Sequence, residues 1–120
     1  MAETKVLVVD DEKNIRSVLA EALDGPELSV RSAVNGEDAL QQLAAEGADV
    51  VLLDLKMPGM DGLDVLRRVR ESWPDTRVLV ITAHGTVPLV VEAMKLGAVE
   101  FIEKPFSPEE VREAVRKACA

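Results

Sequence analysis

An α/β domain, with five strand–helix units wound around a parallel sheet, is the fold class that the sequence predicts. Three short runs are apolar almost without interruption: VLVV (6–9), VVLL (50–53) and VLVI (78–81). Their β-branched content and short length suit strands buried on both faces, as in a parallel sheet covered by helices. Between them lie segments of helical period with start and stop signals. Right-handed crossovers then put helices on both faces, which makes the sheet doubly wound. The chain has 120 residues, enough for one domain with a core and too few for two.

The elements follow in order. After the first strand, Ile15, Val18, Leu19, Ala22 and Leu23 form one apolar helical stripe, ended by Gly25-Pro26. LSVRSAV (28–34) alternates and reads as a weaker second strand, and Asn35 caps a second helix that stops at Gly47. Asp61 caps a third helix running through Arg70, which places Trp73-Pro74 at the opposite end of the sheet from the strand ends. Thr86 begins a fourth helix ending at Gly97. Its segment VPLVVEAMKLG carries only Glu92 and Lys95 as charges, and its valines and Pro88 weaken its intrinsic helicity. AVEFIE (98–103) is the fifth strand. Ser107-Pro108-Glu109-Glu110 is a capping box with proline at the first helical position, followed by Val111, Ala114, Val115 and Ala118 on one face.

Composition narrows the function. Hydrophobic residues make up 48% and aromatics only 2%, so the core is built from Val, Leu, Ile and Ala. The net charge of −8 argues against direct contact with nucleic acid. A single cysteine, Cys119, excludes an internal disulfide and fits a reducing cytosol. No apolar stretch reaches membrane-spanning length, and MAETK is no signal peptide, so a cytoplasmic location away from membranes is expected.

In sheets of this kind the ligand site lies at the carboxyl ends of the strands. Strand one runs into Asp10-Asp11, strand three into Asp54, strand four into Thr82 and strand five into Lys104. Three carboxylates within about 5 Å would repel by roughly 3 kcal/mol per pair at an effective dielectric of about 20. A hard divalent cation removes that repulsion, and an all-oxygen site suits Mg²⁺. Without metal, one or more of the acids should titrate high. Taken singly, each residue has an ordinary explanation: Asp11 as a helix cap, Asp54 as a turn residue, Lys104 as a solvated lysine. Taken together, acids after strands one and three, a hydroxyl after strand four and a lysine after strand five point to phosphoryl chemistry on an aspartate.

VVDDE, LLDLKMPGMDG, VITAHG and FIEKPF, in that order and at that spacing, resemble the receiver domain of two-component response regulators over the whole chain. The resemblance implies a single receiver domain over 1–120 with the flavodoxin-like strand order 2-1-3-4-5 and no output domain of its own. It implies that Asp54 accepts a phosphoryl group from a sensor histidine kinase or a phosphotransfer protein, a signalling role and not an enzyme's. Asp11 and Asp54 would bind Mg²⁺, or Mn²⁺ in its place, with the backbone carbonyl of Lys56, while Asp10 acts largely through water. Thr82 and Lys104 would hold the phosphoryl group, with Ala83 small enough to admit it. Thr82 and Phe101 would form the switch, and the Lys104–Pro105 bond would be cis. Two readings of His84 stay open: a loop residue at the rim, or, with the Lys56 side chain, a border that tunes how fast water removes the phosphoryl group.

Phe101 stands where the family often has Tyr, so a switch here works by ring packing alone. The apolar surplus of the fourth helix (Val87, Leu89, Val91, Met94 and Leu96) predicts an interface. A phosphorylation-dependent homodimer through helix 4, strand 5 and helix 5 is the expected use. Two other classes fit the residues less well. Phosphatases of the haloacid dehalogenase type need a second Asp two residues after the nucleophile, and that place is Lys56. A receiver-like module that binds partners without phosphorylation would not need the five-residue set. HGTVPLVVEAMKLGAVEFIEKPF looks most like receivers attached to transcriptional activators, which suggests that an output domain follows in a longer chain.

Overall fold

The computed structural model describes residues 3–83 and 85–119. Strands and helices alternate as β1 (Thr4–Val9), α1 (Lys13–Ala22), β2 (Leu28–Ala33), α2 (Gly36–Ala45), β3 (Val50–Asp54), α3 (Gly62–Ser72), β4 (Arg77–Thr82), α4 (Val87–Lys95), β5 (Glu100–Glu103) and α5 (Pro108–Cys119). The five strands pair in the order β2-β1-β3-β4-β5, and every pairing is parallel. The doubly wound sheet expected from the sequence is thus present, with the expected strand order.

The three uninterrupted apolar runs lie at the centre because both their faces are covered. Leu7, Val9, Val51, Leu53, Val78 and Val80 pack under α2, α3 and α4. Their alternating neighbours Val6, Val8, Val50, Leu52, Leu79 and Ile81 pack under α1 and α5. Each such side chain contributes about 1.5–3 kcal/mol by leaving water, which is why no polar residue interrupts these runs.

Helix starts follow their capping signals. Asn35 Oδ1 accepts from Asp38 N at 2.8 Å, Asp61 Oδ1 from Leu63 N at 2.9 Å and Thr86 Oγ1 from Leu89 N at 3.4 Å. Both halves of the capping box form: Glu110 N donates to Ser107 Oγ and Ser107 N to Glu110 Oε1, each at 3.1 Å. The exception is α1, whose N-cap is Glu12 with no side-chain cap bond. Neither Asp11 nor Glu12 is consumed in capping.

Some boundaries move. β5 starts two residues later than its apolar run, because Gly97 turns the chain with φ 109° and Ala98 N still bonds back to Ala93 O. α3 continues past Arg70 to Ser72, closed by Trp73 N on Val69 O. Val18 leaves the buried stripe of α1 and is 43% exposed. Trp73 lies just before β4, at the end of the sheet opposite Asp54, as expected.

The loop after Asp54 is pinned by close packing against α3. A Cβ on Gly62 would stand 2.5 Å from Leu55 Cα and 2.8 Å from Leu55 O, whereas one on Gly25 would meet nothing within 4 Å. Urea unfolding of Gly62→Ala should show a loss of about 1–3 kcal/mol, because backbone must yield to the added methyl. Gly25→Ala should be neutral or stabilising by up to about 1 kcal/mol. Equal stabilities in the two variants would show that this contact does not constrain the loop.

Candidate functional site

Parallel registers bring the predicted residues to one edge. Val9 pairs with Leu53, Asp54 with Ile81, and Thr82 with Glu103. Asp10 therefore emerges beside Asp54, and Lys104 follows β5 with its backbone N donating to Thr82 O at 3.0 Å. Asp10 and Asp54 are only 1% and 3% exposed, and Thr82 is fully buried.

Lys104 joins the two buried acids. Its Nζ lies 3.0 Å from Asp10 Oδ2 and 3.3 Å from Asp54 Oδ2, with Glu12 Oε1 at 3.8 Å. The other carboxylate oxygens are held by turns of their own loops. Glu12 N donates to Asp10 Oδ1 at 2.9 Å and Lys56 N to Asp54 Oδ1 at 3.0 Å. Arg16 donates from α1 to the Asp10 carbonyl at 2.9 Å. Both buried acids are thus fixed in position before any ligand arrives.

Burial pushes the Asp54 carboxyl above its ordinary 3.8; the Lys56 amide opposes this, the Asp10 charge adds to it and Lys104 pulls back. Burial would lower the Lys104 ammonium, but its hydrogen bond to Asp10 and the charges of Asp54 and Asp10 outweigh that and hold it above 10.5. An acid that titrates high was expected of this cluster, and Asp54 is that acid.

Donor atoms of Asp10, Asp11 and Glu12 lie within 4.8 Å of one another. These are oxygen donors alone, two of them exposed and uncommitted to capping, which fits a hard divalent cation better than a soft one. Glu12 joins the expected acids here, and its signal in the sequence is the unbroken run Asp10-Asp11-Glu12. Asp54, expected as a direct ligand, is connected to this trio through Lys104. Lys56 and Ala83 are exposed beside the site, and Phe101 is half-buried on the α4 side of the sheet. The Lys104–Pro105 bond is cis, as expected. His84 lies outside the described residues.

The family model of the response regulator receiver domain matches residues 6–116. The chain belongs to that family. It is 39% identical over 117 residues to the sporulation initiation phosphotransferase F of Bacillus subtilis, covering 98% of this chain and 94% of that protein. It is 42% identical over 120 residues to the C4-dicarboxylate transport transcriptional regulatory protein DctD of Pseudomonas aeruginosa, covering 98% of this chain but only 25% of that protein. Among solved structures, the chemotaxis protein CheY4 of Vibrio cholerae superposes with a TM-score of 0.91 at 29% identity, covering 98% of this chain and 99% of that one. The chain is thus a receiver domain of two-component signal transduction. No helix among the described residues is long and apolar enough to cross a membrane.

The raised Asp54 value has a definite sign. Ionising Asp54 costs the folded state more than the unfolded chain. Its contribution to stability is therefore fully present below 3.8 and is lost as pH rises through the higher folded value. A carboxyl-carbon NMR titration should place the Asp54 midpoint above 3.8, and higher still in Lys104→Ala, which removes the cation but not the burial. A midpoint at or below 3.8 in the intact protein would refute this electrostatic picture.

Proposed function

We propose that this receiver takes a phosphoryl group onto Asp54, in a Mg²⁺-dependent reaction, from the phosphohistidine of a sensor histidine kinase or phosphotransfer protein. The observation that carries the reading is Asp54 itself: a carboxylate 3% exposed at the end of a buried strand, held between an amide and an ammonium. An oxygen of Asp54 attacks phosphorus, the phosphorus–nitrogen bond breaks, and its electron pair returns to the donor's imidazole. Phosphoryl transfer asks for positioning and charge neutralisation more than covalent help. Mg²⁺, or Mn²⁺ in its place, would supply positive charge beside the carboxylates, held by Asp11, Asp54 and the Lys56 carbonyl, with Asp10 and Glu12 alongside. Lys104 is already within reach of the incoming oxygens, and Thr82 is the hydroxyl at the end of the neighbouring strand. Ala83 leaves room for the group, and the exposed Lys56 side chain is placed to tune its hydrolysis.

The consequence we propose is a rearrangement of α4 and Phe101. Charge-assisted contacts from Thr82 and Lys104 are worth about 1.5–3 kcal/mol each. Switching a two-state element almost fully needs about 5.5 kcal/mol, so both contacts are required. α4 is the element able to respond: Val87 is 75% exposed, Val91 44% and Met94 43%, and only Ala93 of the helix is fully buried. A second copy meeting this face through α4, β5 and α5 is the proposed partner. Since DctD is a transcriptional regulator about four times longer than the match, we propose that the output is transcriptional, delivered by an attached or separate partner without nucleic-acid contact by these residues.

Acetyl phosphate with Mg²⁺ should add one phosphoryl mass to the wild type and none to Asp54→Ala. Labelling of that variant would remove the assignment, and an unlabelled wild type would favour a module that binds without phosphorylation. Calorimetry should show Mg²⁺ affinity falling most for Asp11→Asn or Asp54→Asn and less for Asp10→Asn. Full affinity in Asp11→Asn would rule out the site. Sedimentation with and without beryllofluoride tests the dimer, and an unchanged monomer would exclude it.

A further inference from the structure

Arg16, in the first turn of α1, has no part in the phosphoryl chemistry above, yet it reaches back to the acidic edge. The cations of the described ion pairs are Arg31, Arg67, Lys104, Arg112 and Arg116. Arg16 is not among them, although Asp10, Asp11 and Glu12 cluster at the head of its own helix. Its Nη1 donates instead to the backbone carbonyl of Asp10, at 2.9 Å. A carboxylate is the stronger acceptor for a guanidinium. An arginine that bonds a carbonyl beside three acids is holding the chain.

The surroundings of Asp10 explain why a hold is needed there. Its amide donates to Ala33 O at 3.2 Å, and its carboxylate is fixed by Glu12 N and Lys104 Nζ. Its carbonyl receives no backbone amide among the described residues. That carbonyl belongs to the peptide leading into Asp11, and a planar peptide turns as one unit, so its direction sets where Asp11 points. The loop also lacks the tie that the other helices have. Asn35, Asp61, Thr86 and Ser107 each cap a helix through a side chain, whereas Glu12 makes no such bond. Arg16, whose own amide donates to Glu12 O at 3.1 Å, supplies the tie from one turn further along.

We infer that Arg16 is a positioning residue for the acidic site: by holding the Asp10 carbonyl it fixes the Asp10–Asp11 peptide and so presents the Asp11 carboxylate to the divalent cation. The inference deepens the proposed Mg²⁺ site and rests on it. Arg16 itself ligates nothing. The two things it brings to the site have opposite signs. Its positive charge opposes a divalent cation, while its hold on the peptide favours one.

Calorimetry with Mg²⁺ separates the two by sign. Arg16→Met keeps the length of the side chain and removes both donor and charge. Its Mg²⁺ affinity should fall by roughly tenfold, as for groups that orient a metal ligand. Arg16→Lys, which keeps a donor, should restore most of the affinity. Unchanged or tighter binding in Arg16→Met overturns the inference, since that is what removing a nearby cation alone would do. In an Asp11→Asn background Arg16→Met should add little, and an equal further loss there also overturns it. Should Arg16→Met fold poorly, Arg16→Ala takes its place with the same expected loss, alanine being the best helix former. In metal-free protein the amide NMR signals of Asp11 and Glu12 should move in Arg16→Met and return in Arg16→Lys; unmoved signals overturn the hold. A wild type that binds no Mg²⁺ would remove the proposed metal site, and these metal-free signals would still decide whether Arg16 fixes the peptide.

Discussion

The ammonium of Lys104, set between Asp10 and Asp54, is the constraint around which the domain is arranged. Two carboxylates almost out of water cannot sit side by side without a cation, and removing one partner of a buried ionic group typically costs several kcal/mol. The lysine comes from the strand at the sheet edge and has to pass the end of β4 to reach β3 and β1. The order β1-β3-β4-β5 sets the length of that reach, and the parallel registers set its height. A one-residue slip of any of these strands would send the acid or the lysine to the other face.

The apolar strands serve that arrangement by being unable to slip. Val6 to Val9, Val50 to Leu53 and Val78 to Ile81 are each packed from both sides, so the residues that follow them are delivered to fixed positions. Stability is unevenly spread around this frame. α1, α3 and α5 each bury two or more side chains, whereas α4 buries Ala93 alone. Low burial leaves α4 the cheapest helix to move.

The sequence showed the sheet and most of the site because those features are local or periodic. Apolar runs mark buried strands, Asn35, Asp61 and Ser107-Glu110 mark helix starts, and a residue that ends a strand is at the carboxyl edge by construction. What stayed hidden depends on distant contacts. The close approach of the Phe101 ring to Gly85, where a Cβ would stand 2.2 Å from the ring, joins two elements with no spacing rule between them. The Lys104 bridge could be placed at the right edge, but its choice of Asp10 and Asp54 over Asp11 is a matter of burial. Glu12 was visible as a third acid, yet nothing in the sequence said that it would be left free of capping. β5 began late because Gly97 ends α4 with a turn whose geometry an apolar run does not reveal.

Phosphorylation of Asp54, on the proposed function, adds negative charge where burial already disfavours it, so the donors beyond its own loop must be drawn in. Those donors are Thr82, at the end of β4, and Lys104, just beyond β5. The chain between them contains the Gly85 loop, α4 and the strand that carries Phe101. A pull on both ends of one segment cannot be absorbed by the packed strands, whose side chains have nowhere to go. It falls on the loop and the weakly buried helix.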